Sequence, residues 1–80
     1  MSTADEWTGL DRTSTAERVA GILRDRIMEG HLRPGDKLSE EEITRRLGIS
    51  RNTLREAFRL LGHERLLEHQ LNRGVFVRVV

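Results

Sequence analysis

Leu47-Gly48-Ile49-Ser50-Arg51-Asn52-Thr53-Leu54-Arg55-Glu56-Ala57-Phe58 is the stretch on which the fold turns. Gly48 interrupts the segment before it, and Ser50 is placed to cap a helix beginning at Arg51. At about 100° per residue, Leu54, Ala57, Phe58 and Leu61 fall on one arc of that helix. Arg51, Asn52, Arg55 and Arg59 fall on the adjacent arc. One face is built to pack and the next is a row of guanidiniums with an amide among them. Leu60 lies outside the apolar arc, and the pattern gives no account of it. Just upstream, Ser39-Glu-Glu-Glu42 is a capping box that opens another helix, with Ile43 and Leu47 inward. Its three carboxylates suit the positive end of a helix dipole. Consecutive helical residues diverge too far for them to converge on a metal ion. Helix, glycine turn and Ser-capped helix within about twenty residues is the spacing of a helix-turn-helix.

Working outward, Ser14-Thr-Ala-Glu17 is a further capping box and predicts the start of a first helix. Its stripe is Val19, Ile22, Leu23, Arg26 and Ile27, with Met28 at the edge and Gly30 as the left-handed stop. Residues 1–12 lack an apolar period and are expected to form a flexible tail, with Trp7 and Leu10 as contacts onto the body. Residues 13–80 are then the domain proper. His31 to Leu38 is an extended connector with room for one short strand, and Pro34-Gly35 fits the centre of a type II turn. Beyond Gly62, which weakens the end of the Arg51 helix, Leu66–His69 and Val75–Val79 read as strands. Leu71-Asn-Arg-Gly74 between them supplies Asn and Gly for positive φ. The expected fold is mainly α with a small β-hairpin: a winged helix-turn-helix of three helices and a two- to three-stranded wing.

Composition narrows the function. Eighty residues allow one domain with a small core, which leaves little room for an enclosed catalytic pocket. There is no cysteine, so disulfides, thiolate metal sites and thiol nucleophiles are excluded. Apolar runs reach only three residues, far short of a membrane span, and the N-terminus lacks the regions of a secretory signal. A cytoplasmic, nucleoid-associated protein is expected. The net charge of +1 hides an asymmetry: residues 1–42 carry six basic and ten acidic side chains, residues 43–80 eight and three. All the basic residues but Lys37 are arginines, suited to bidentate contact with phosphate or guanine. The C-terminal half is thus nominated as a nucleic-acid face. His31, His63 and His69 show no helical ligand spacing, and Ser14, Ser39 and Ser50 have capping roles. No enzyme activity, cofactor or metal is expected.

With these elements in place the chain resembles the GntR family of DNA-binding domains. Ile27-Met-Glu-Gly30-His-Leu32-Arg-Pro34-Gly35-Asp-Lys-Leu38-Ser-Glu40 is similar to that domain's opening. Leu47 to Phe58 is similar to its recognition-helix signature, and Asn72-Arg73-Gly74-Val-Phe-Val77 to the wing of the FadR-like, or FCD, branch. The resemblance covers about residues 15–78 without a gap. It implies a bacterial transcriptional regulator of the repressor type, binding a palindromic double-stranded operator as a homodimer. Arg51 would meet a guanine in the major groove, with Ser50, Asn52, Thr53 and Arg55 on bases or phosphates and the Asn72–Gly74 region in the minor groove. Arg59 on the guanidinium face and His69 beside the wing are added as backbone contacts.

Three departures from the family pattern stand out. Glu41 occupies a place where some FadR-like relatives carry Arg, so Arg45 or Arg46 is expected to substitute. Glu64-Arg65 replaces a usual Glu-Gly at the helix-to-wing junction, which strains the turn or extends the helix. Relatives continue into an effector-binding, dimerising domain beyond the point matched by Val80, so the isolated chain is expected to be monomeric. The competing reading is a winged-helix protein–protein interaction module, for which Leu60 is the sole argument.

Overall fold

In a computed structural model, the backbone is described for residues 3–79 and the side chains for residues 15–79. The elements are α1 (Thr3–Met28), β1 (Lys37–Leu38), α2 (Glu40–Leu47), α3 (Arg51–His63), β2 (Leu67–Gln70) and β3 (Gly74–Val77). The three strands form one antiparallel sheet in the order β1-β3-β2. This is the winged helix-turn-helix that the capping boxes and the period-two segment predict, with three strands in the wing.

The core forms where α1 packs across α3 and the sheet closes over them. Leu54, Ala57 and Leu61 of α3 are wholly buried and Phe58 nearly so, which is the apolar arc predicted for that helix. Leu60, unexplained by the pattern, is half-buried and packs against the same core. From α1 come Ala16, Val19, Ala20 and Leu23. Two of these, at 16 and 20, are small side chains that an apolar period passes over. Ile22, expected on the stripe, is instead 42% exposed. The helix also begins earlier than the Ser14 capping box predicts, at Thr3, and residues 3–13 hold no proline that would bar it. The expected contacts of Trp7 and Leu10, and the side chains of the expected 1–12 tail, lie outside the described residues.

One stop signal ends all three helices. After α1, the His31 N–H donates to the Arg26 carbonyl and the Gly30 N–H to the Ile27 carbonyl, with Gly30 at φ 84°. After α2, the Ile49 N–H reaches the Thr44 carbonyl around Gly48 at φ 66°. After α3, the Leu66 N–H reaches Leu61 and the Arg65 N–H reaches Gly62, with Arg65 itself at φ 63°. This is the Schellman pattern, usually closed by glycine. Of the two outcomes the sequence left open at the Glu64-Arg65 junction, the structure has the strained turn.

The sheet's register explains its burial. Leu67 pairs with Val77, and Leu38 and His69 each pair with Val75, so Leu38, Leu67, Val75 and Val77 line the inner face and are buried. Glu68 and Lys37 pair with Phe76, and Gln70 with Gly74, on the outer face. The Pro34-Gly35 turn forms as expected: the Asp36 N–H donates to the Arg33 carbonyl at 2.9 Å, with Gly35 at φ 91°. β3 ends at Val77 rather than Val79, where its partner β2 begins at Leu67.

Candidate nucleic-acid interface

α3 presents its polar face to solvent, and its cap sets the face's start. Ser50 is extended at φ −77°, and its hydroxyl accepts from the Thr53 N–H at 3.1 Å while donating to Thr53 Oγ1 at 3.0 Å. Both hydroxyls are therefore engaged in holding the first turn. Ser39 caps α2 in the same manner, accepting from the Glu42 N–H.

The arginines along α3 are not equivalent. Arg51 is exposed and has no ion pair or hydrogen bond from its guanidinium to any other described residue, and no acidic residue lies in the first turn. Asn52 is exposed beside it. Arg55 lies 3.8 Å from Glu40 at the start of α2, a loose pair. Arg59 is held by both oxygens of Glu56, at 3.1 and 2.5 Å, and its other nitrogen lies 3.2 Å from His63 Nε2. Hydrogen bonding from Arg59 draws the Glu56 carboxyl below its ordinary value, and the same contact raises the Arg59 guanidinium above its own. Behind these residues Arg24 of α1 grips Glu64 through two hydrogen bonds of 2.7 and 2.5 Å. That grip holds the Glu64 carboxyl below the usual range.

Between α3 and the sheet lies an open cleft of about 690 Å³, lined among others by Glu40, Arg55, Arg59, His63 and His69. His69 pairs with Val75 on the inner face, and its exposed ring lies on the helix side of the wing. The structure thus brings together Arg55, Arg59 and His69. Arg73 is elsewhere: its guanidinium sits 5.9 Å over the Phe76 ring, on the outer face of the sheet. Asn72 takes φ 63° and Gly74 φ 119°, so both positive-φ positions predicted for the wing turn are used. Gly74 is conformationally required: a side chain at that φ is strained, and its Cβ would also fall 3.0 Å from Lys37 Cε. On α2, Arg46 is paired with Glu42 at 3.1 Å, whereas Arg45 is exposed with no such pair. Of the two substitutes for the Glu41 position, Arg45 is the unengaged one.

Two residues at the wing are not among the site residues that the sequence predicts. Lys37 joins it because β1 pairs with β3, a contact no local pattern shows. Leu71 forms its tip and is 83% exposed.

Comparison with known proteins agrees with this architecture. The sequence model of the family described as "Bacterial regulatory proteins, gntR family" matches residues 15–77. The gluconate operon transcriptional repressor of Bacillus licheniformis is 38% identical over 63 residues, which are 79% of this chain and 25% of that protein. The Uxu operon regulator of Haemophilus influenzae is 39% identical over 69 residues, 85% of this chain and 25% of that protein. A solved structure of a GntR transcriptional regulator from Rhodococcus sp. RHA1 is 61% identical with a TM-score of 0.81, covering 82% of this chain and 32% of that one. The chain thus spans about a quarter of the length of the curated relatives it matches. Among the described residues no helix is long and apolar enough to cross a membrane. A family match over residues 15–77, a winged fold and an open arginine face lead to one assignment: the chain belongs to the gntR family of bacterial regulatory proteins, whose DNA-binding helix-turn-helix it carries.

Proposed function

We propose that this chain reads a palindromic operator in the manner of the FadR-like branch, as the DNA-binding part of a dimeric, effector-controlled repressor acting in the cytoplasm at the nucleoid. α3 enters the major groove with Arg51 on a guanine and Asn52 beside it, while Arg55, Arg59, Arg45 and His69 face phosphates. Ser50 and Thr53 contribute through the helix N-terminus they hold in shape. The wing turn, with Asn72, Arg73 and Gly74, meets the adjacent minor groove. Arg73 leaves the Phe76 ring to do so, a small cost against a phosphate contact. Residues 13–80 act as the binding unit, monomeric until a second copy is linked to it.

The observation that carries this reading is Arg51. It is an exposed guanidinium at the first turn of the helix, with no carboxylate partner among the described residues. The interaction-module reading loses its support, because Leu60 is packed against the core.

The test uses a duplex selected from a random pool by the chain itself. Arg51→Ala is expected to lose about 1–3 kcal/mol of preference for that duplex over a scrambled one, while keeping part of the non-specific affinity. Affinity should also fall with salt, by about 0.9 in log units per phosphate contact for each tenfold rise. Equal losses on selected and scrambled duplexes would make Arg51 a phosphate contact and overturn its assignment.

A further inference from the structure

Leu71 is the most exposed large hydrophobic residue among those described, at 83%, and it sits at the tip of the wing. Its backbone is not loose. The Arg73 N–H donates to the Gln70 carbonyl at 3.0 Å, Gln70 pairs with Gly74, and Asn72 takes φ 63°. Leu71 and Asn72 are thus the two central residues of a closed turn. Leu71 itself is neither in the core nor among the residues packed against it. Nothing in the fold needs an apolar side chain here, and turn positions of this kind accept polar residues readily.

Two cations belong to the same wing as this apolar tip. Arg73 follows it by two residues and lies over Phe76, and the Lys37 stem runs against Gly74. Both belong to the outer face of the sheet, and no carboxylate is paired with either among the described residues. An exposed leucine on a wing whose outer face carries, among the described residues, two unpaired cations against the carboxylate of Glu68 suits a minor groove, whose walls carry phosphate and whose base steps admit apolar side chains. The floor differs between base pairs in one respect: G·C carries the guanine N2 amino group and A·T does not. A leucine side chain has no acceptor for that amino group and loses contact when it is present.

We infer that Leu71 enters the minor groove and gives the wing a preference for base pairs lacking the guanine amino group. The inference rests on the wing entering that groove, as proposed above, and its test separates the two. Inosine·cytosine has the major-groove edge of G·C and the minor-groove edge of A·T. The whole chain is titrated against alternating inosine–cytosine and guanine–cytosine duplexes at one salt concentration. Wild type is expected to bind the inosine duplex roughly threefold or more tightly. Leu71→Ser should bring the ratio to one without moving the melting temperature, and Leu71→Met should retain it. A wild-type ratio of one would overturn the inference and leave the wing free to meet the groove through phosphate contacts alone. A ratio that survives Leu71→Ser would leave the wing in the groove and overturn the role of Leu71 alone.

Discussion

The two ends of α3 show one exposed face put to two uses. At the start, Ser50 and Thr53 satisfy the free backbone amide and each other, while the Arg51 and Asn52 side chains remain unengaged. At the far end, Glu56 and His63 hold Arg59, Arg24 holds Glu64, and Arg65 closes the helix in a left-handed conformation. Charge counting treats Arg51 and Arg59 alike; their surroundings do not. A guanidinium already bound to a carboxylate has fewer N–H groups to offer a phosphate, and its charge is partly offset. The start of the helix is therefore left wholly to the ligand, whereas its end is shared between the ligand and the fold.

The sharpest way to break this contrast is to remove what both ends share. Leu54 is wholly buried beneath the first turns, so Leu54→Ala should cost about 2–5 kcal/mol. Thermal melting would show a large drop, and affinity for selected and scrambled duplexes should fall together. Unequal losses would mean that the two ends are positioned separately. A smaller effect of opposite sign is expected at the closing residue. Arg65→Gly relieves the left-handed strain at the expense of a more flexible unfolded chain, for a net gain of up to about 1 kcal/mol. Melting should rise while sequence preference stays fixed; a fall would reveal that the Arg65 side chain has a stabilising contact.

The smallest effect is in acid. The Glu56 and Glu64 carboxyls are held below their ordinary value by Arg59 and Arg24. Their support is fully present above that ordinary value of 4.5 and is lost as pH falls through the lowered one. Both side chains face solvent, so the loss is modest. Arg24→Ala should flatten the acid limb of the melting curve below the ordinary carboxyl value of 4.5, whereas Arg51→Ala should leave it unchanged. An unchanged limb in Arg24→Ala would show that the far end is not tied as the geometry indicates.

Much of this fold is legible because its signals are local. Ser39 and Ser50 are followed by their helices, Gly30 and Gly48 end theirs, and the Leu54 to Leu61 arc is buried as spaced. What the sequence hides depends on partners distant in the chain. Ala16 and Ala20 are buried where Ile22 is not, and small residues carry little weight in an apolar pattern. Lys37 reaches the wing only through its pairing with Phe76, thirty-nine positions later. The arginine row was visible as a row, but which members are engaged depends on Glu40, a helix away, and on the side-chain rotamer of Glu56.

The strand order has a consequence for how the molecule comes into being. β3 lies at the centre of the sheet, yet it is the last of the three strands in sequence, and β1 and β2 do not pair with each other. During synthesis the three helices are complete once His63 has emerged, while β1 still waits for its partner and β2 is yet to emerge. Local helical contacts form quickly and the distant pairing of Lys37 with Phe76 slowly. The helix-turn-helix can therefore exist on the ribosome before its wing does, and the surface that meets the second groove is assembled in a single late event, when Gly74 to Val77 slides between two strands already made.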